Sequence, residues 1–231
     1  GGILMVGRHK FFMSLKQSLA AYAFNICGVF AGTLVAFQLG LFLRADYPWI
    51  VAIYPALVSA RGVIGGLLSG RLSTGLHLGT CRPQIFNNTS SFYLLFKSVL
   101  VLTLETSVAM SLVASAFGAL LWGTKSVDLF AVSGVIMATM TLALVAVSPI
   151  TMIVASTAYR HGLDPDIVLY PVESTASDVL ITVCYVAVLS LFFSPNTFGR
   201  IVISLLCLIL VVSALYVLLR NRRKSEFTRT I

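Results

Sequence analysis

Five stretches of this chain, residues 17–43, 106–124, 129–159, 179–199 and 201–219, each run for nineteen residues or more without Asp, Glu, Lys or Arg. A helix rises about 1.5 Å per residue, so a run of about 20 apolar residues crosses the hydrocarbon of a bilayer. Inside lipid the backbone must satisfy its own hydrogen bonds, which leaves helices or a closed barrel as the spanning forms. Runs this long read as helices. Only 10% of the residues are charged and mean hydropathy is +0.96, far from a soluble domain with about one quarter charged residues. The reading is an all-α integral membrane protein with six transmembrane helices, five of which take in these charge-free runs.

The six spans fall at about 15–43, 49–81, 92–122, 129–159, 166–193 and 200–219, between an N-terminal segment (1–14) and a basic tail (221–231). Eleven Lys and Arg, including Arg8, Lys16, Arg82, Lys97, Arg160 and Arg220, lie on one side of this arrangement, against Arg44, Lys125 and Arg200 on the other. The positive-inside rule then places both termini in the cytoplasm of a cell that carries the protein in its plasma membrane. The net charge of +8 is accounted for by topology and contacts with anionic lipid, with no nucleic-acid partner. Cys27, Cys81, Cys184 and Cys207 show no metal-ligand spacing and read as packing residues. Asn87 and Asn88 match the glycosylation pattern but fall on the cytoplasmic side, which discounts them. No signal peptide is evident, the first apolar run being too long for one.

Acids inside the lipid spans are costly and mark function. Span five carries two, Glu173 and Asp178. On a helix, Pro171, Ser174, Thr175, Asp178, Thr182 and Tyr185 share one polar stripe, and Pro171 frees a carbonyl of the preceding turn. Carboxylate and carbonyl oxygens are hard ligands suited to Mg²⁺ or Ca²⁺. Asp178 is the first candidate ligand. Glu173, about 140° around the helix from it, and Glu105 in span three are secondary ones. Span two holds Arg61, Arg71 and the glycines Gly62, Gly65, Gly66 and Gly70 around Ser73. Arg61 is expected to pair with an acid, Glu105 being the partner considered. Arg71 reads equally as snorkelling to the interface or as paired, and His77 as an interface residue.

Tyr54-Pro55 in span two and Tyr170-Pro171 in span five stand at matching places of two three-span halves. An odd number of crossings separates the halves, so they run in opposite senses. The expectation is a 3+3 inverted repeat with spans two and five as broken helices at a midplane site.

At these stretches the sequence resembles the membrane domain of MgtE-type magnesium transporters, more closely one half of their animal solute-carrier relatives. Pro55-Ala56-Leu57 with Arg61-Gly62, then Arg71-Leu72-Ser73-Thr74, then Leu163-Asp164-Pro165 with Pro171 and, seven residues on, Asp178 carry the likeness. Where bacterial members usually have Asn, this chain has Val63. The resemblance implies a homodimer in which Asp178 and the Ser174 carbonyl hold Mg²⁺ in a pore on the symmetry axis. It also implies a sixth span added to the bacterial five, and an absence of the cytoplasmic sensing domains. The function expected is a channel or transporter for a divalent cation, Mg²⁺ being the transported ion and no cofactor being needed. The alternative is a proton- or Na⁺-coupled carrier of another small solute, with Asp178 as coupling acid and Arg61 recognising an anion. Hydrolase and synthase motifs are missing, so no enzyme activity is expected.

Overall fold

The structure is a computed structural model that describes residues 47–84, 87–122, 126–162 and 165–223, with scattered residues between 11 and 40 and residue 227. Span one falls largely outside the described residues. The rest form five helices: α1 (Trp49–His77), α2 (Ser90–Trp122), α3 (Ser126–Arg160), α4 (Pro165–Phe192) and α5 (Thr197–Asn221). All five are long and apolar enough to cross a membrane, and they correspond to spans two through six.

Helix α3, free of charged residues from Leu129 to Tyr159, takes the centre, in contact with each of the other four. Small side chains let its neighbours approach: Ala138, Ala143 and Ala155 are wholly buried. The main core joins Ile50, Leu57, Ile64 and Leu68 of α1 to Val135, Ile136 and Met140 of α3 and Ile181, Tyr185 and Val188 of α4. At the periphery lies α5, the most apolar helix (mean hydropathy 3.0), with Leu205, Leu208, Ile209 and Val212 exposed. An outward apolar surface is what lipid requires and water would not tolerate.

Helices α1 and α4 run antiparallel. Trp49 meets Phe192 edge-on at 5.8 Å, the Tyr185 hydroxyl donates to Ile50 O at 2.6 Å, Tyr54 reaches Thr182, and Gly65 touches Glu173. Rising numbers on one helix thus pair with falling numbers on the other.

The expected breaks do not occur. Both α1 and α4 are continuous, with Pro55 and Pro171 each the seventh residue counted from Trp49 and Pro165. A proline so near the start removes only the bond to a first-turn carbonyl, Val51 or Ile167, so the ladder beyond it is intact. The glycines of α1 sit either on an open flank or against a side chain that needs the space, and tertiary contacts outweigh their low helix propensity.

Two glycines end helices. Gly79 has φ +70° just beyond α1 and Gly162 has φ +68° beyond α3, the left-handed cap that favours Gly. The α1–α2 loop is organised by Asn88. Its Oδ1 accepts from the Arg82 and Thr89 N–H, and its Nδ2 donates to Arg82 O and Gln84 O at 2.8 and 2.7 Å. Nε and Nη2 of Arg160 both donate to Pro83 O, tying this loop to the end of α3. His77 packs edge-on against Tyr159.

Candidate functional site

The polar residues of α4 divide between two directions. Thr182 and Tyr185 turn inward to α1, where Tyr54 stacks on Tyr185 with ring centres 5.9 Å apart. The Thr182 hydroxyl donates to Asp178 O at 2.6 Å, so in its 2.8 Å contact with Tyr54 the tyrosine is the donor. These bonds fix the α1–α4 spacing beside Asp178.

Asp178 itself is exposed. It lines a groove of about 430 Å³ with Val179 and Thr182 of α4, Tyr54, Pro55, Val58 and Ser59 of α1, and Gly32 of span one. Phe192, which packs among the aromatic residues at the end of α4, is fourteen residues on, about 21 Å along the axis. The carboxylate therefore sits deep within the span. Further along the same flank of α1, a Cβ added at Gly62, Gly66 or Gly70 would meet none of the described residues within 4 Å. Among the described residues, the chain thus presents a carboxylate, hydroxyls and a row of small residues along one flank, with Gly32 the residue of span one that meets it. Among the described residues no three His, Cys, Asp or Glu gather.

Glu173 lies elsewhere. It is 3% exposed and its Oε1 accepts from the Ser177 hydroxyl at 3.1 Å. The carboxylate fills the notch at Gly65, where an added Cβ would stand 2.0 Å from Oε1. Four residues before Gly65, Arg61 is 1% exposed and attracted electrostatically to Glu173. Among the described residues its guanidinium nitrogens make no hydrogen bond, so the two groups are linked by charge attraction across the interface and not by a direct bond.

This corrects the expected pairing of Arg61 with Glu105. Glu105 is exposed on α2, while Arg61 is buried and the acid whose charge acts on it is Glu173. Of the other residues singled out, Ser174 is half-buried and Thr175 buried. Ser73 is buried with no hydrogen bond to its hydroxyl among the described residues, and Arg71 is exposed near the end of α1. Pro171 lies within α4. Ser177 and Ser59 were not foreseen. Ser177 had a signal, its place one turn after Glu173 where a hydroxyl meets a carboxylate; Ser59 had none.

Residues 54–188 match the MgtE family model, described as a divalent cation transporter. The chain belongs to the MgtE family. The match runs from Tyr54 to Val188 and so takes in both walls of the groove. Comparison with curated proteins and with solved structures gave no match. Membership together with five membrane-crossing helices makes this MgtE chain a multi-pass membrane protein of a divalent cation transport family. Cys81, outside the spans, is free and buried, and burial raises its thiol above the ordinary range. Cys184 and Cys207 are free as well; Cys27 lies outside the described residues.

Proposed function

We propose that this protein conducts Mg²⁺ across the plasma membrane along the Asp178 groove, with both termini in the cytoplasm and with a second copy completing the path. The observation that carries the reading is an exposed carboxylate, deep in a membrane-spanning helix, opening on a groove of about 430 Å³. A carboxylate facing hydrocarbon is strongly disfavoured, so the surface around it is one that another polar or protein surface covers. The open glycine flank beside it offers close approach to a second helix. Two such surfaces face to face bring two Asp178 carboxylates to one axis.

Mg²⁺ holds its water tightly and binds few protein oxygens directly. Two carboxylates, with Ser174 O and the hydroxyls of Ser59 and Thr182 around them, would hold the hydrated ion by its water shell and let it leave again. Chemistry on a substrate bond has no part in this, so the protein is not an enzyme. The antiparallel pairing of α1 and α4, with a proline at the seventh position of each, supports the inverted-repeat reading of the two halves.

A carrier of an organic anion would use Arg61. That residue is buried against Glu173 and does not line the groove, which leaves the coupled-carrier reading without its anion-binding group. The test is Mg²⁺ uptake by proteoliposomes containing the wild type or Asp178→Asn. The substitution is expected to remove uptake while leaving helicity and monodispersity intact; uptake at the wild-type rate would reject the groove as the ion path.

A further inference from the structure

The two acids of α4 differ in what they can reach. Asp178 opens on the groove, whereas Glu173 is pinned about 140° away around the helix by the Gly65 notch and the Ser177 hydroxyl. Any swing of Glu173 toward the groove would carry it through its own helix, so it is not a ligand of an ion held there. Its charge is felt there all the same. Glu173 is attracted to Arg61, which stands three residues after Val58 of the groove wall, and the interior that buries the pair screens charge far less than water does.

We propose that the Arg61–Glu173 pair is an electrostatic counterweight that sets how tightly the groove holds a divalent cation, an inference that rests on Asp178 being the cation's carboxylate. Arg61 brings a fixed positive charge to the wall behind the groove, for a guanidinium does not give up its proton in a protein. Glu173 cancels that charge. With the pair intact the cation meets the net charge of Asp178; with Glu173 neutralised it meets Asp178 with an uncancelled cation close behind. The pair also explains Gly65. Only a residue without a side chain admits the carboxylate so near the α1 backbone, one turn from the guanidinium it balances.

A purely structural pair and a counterweight separate in a three-variant titration. Mg²⁺ affinity is measured calorimetrically on purified, detergent-solubilised protein, alongside its melting temperature. Glu173→Gln is expected to weaken Mg²⁺ binding by on the order of tenfold, the scale of an unbalanced charge in such surroundings. The double variant Arg61→Met/Glu173→Gln, which removes both charges, is expected to return to within about threefold of wild type, since a buried pair can be replaced as a unit where it cannot be halved. Unchanged binding in Glu173→Gln, or a double variant no tighter than the single one, overturns the proposal. Should Glu173→Gln not be recovered folded, the double variant decides alone, a tenfold loss counting against the proposal. Asp178→Asn separates the two readings: Mg²⁺ binding that survives it overturns the groove and the counterweight together, whereas binding lost in Asp178→Asn but indifferent to Glu173 overturns the counterweight only.

Discussion

At the scale of single residues, the α1–α4 interface shows how one missing side chain determines the place of a charge. Glu173 occupies space that any residue other than Gly at position 65 would fill, its Oε1 lying 2.0 Å from where a Cβ would stand. Gly65→Ala is therefore expected to destabilise the protein by about 1–3 kcal/mol, the usual range for overfilling a packed site. Titration with denaturing detergent, following loss of helicity, measures it. An unchanged midpoint would mean that the carboxylate has somewhere else to go. The neighbouring Ser69 hydroxyl, which bonds to Gly65 O at 3.0 Å, leaves little slack on the α1 side. Asp178 could be singled out from the sequence because an acid in an apolar run is costly wherever it points. The partner of Arg61 could not. Glu105 and Glu173 are equally plausible by composition, and the choice between them depends on which faces of α1, α2 and α4 are buried.

Helices meet at sites fixed by close backbone approach. The turn between α4 and α5 is the tightest of these: a Cβ on Gly199 would lie 2.0 Å from the carbonyl oxygen of Leu191. Backbone atoms cannot rotate aside as a side-chain terminus can, so Gly199→Ala is expected to cost more than Gly65→Ala in the same detergent titration. The reverse order would show that α5 is able to shift bodily. Spans two through six were legible in the sequence from their long apolar runs, each of them a helix in the structure, while span one lies largely outside the described residues. Continuity of α1 and α4 was not legible. A proline reads the same in a list of residues whether it stands in the first turns of a helix or at its middle, and the actual start at Trp49 or Pro165 decides which. Asn88 likewise carried a glycosylation pattern in the sequence, and in the fold its amide is spent on the α1–α2 loop.

For the molecule as a whole, one surface stands apart from the rest. The flank of α1 that runs from Pro55 through Ser59, Gly62 and Gly66 to Gly70 is left open by the described residues beside Asp178, while the outer surface of α5 is built of Leu, Ile and Val. If the first is where two copies meet, Ser59→Cys in a background without the native cysteines should form a dimer-sized species with a short bifunctional thiol reagent in liposomes. Leu208→Cys on α5 should not. Cross-linking at position 208 in preference to position 59 would place the contact on the wrong side of the bundle.

Tyr47, Trp49, Phe192 and Phe193 interlock edge-to-face at 5.1–6.5 Å, where α1 begins and α4 ends. Aromatic girdles of this sort prefer the headgroup boundary, so the knot works as a float line for the two helices that make the groove. A membrane of different thickness would then be accommodated at their far ends, and the acid would keep its depth below the headgroups as the lipid changes around it.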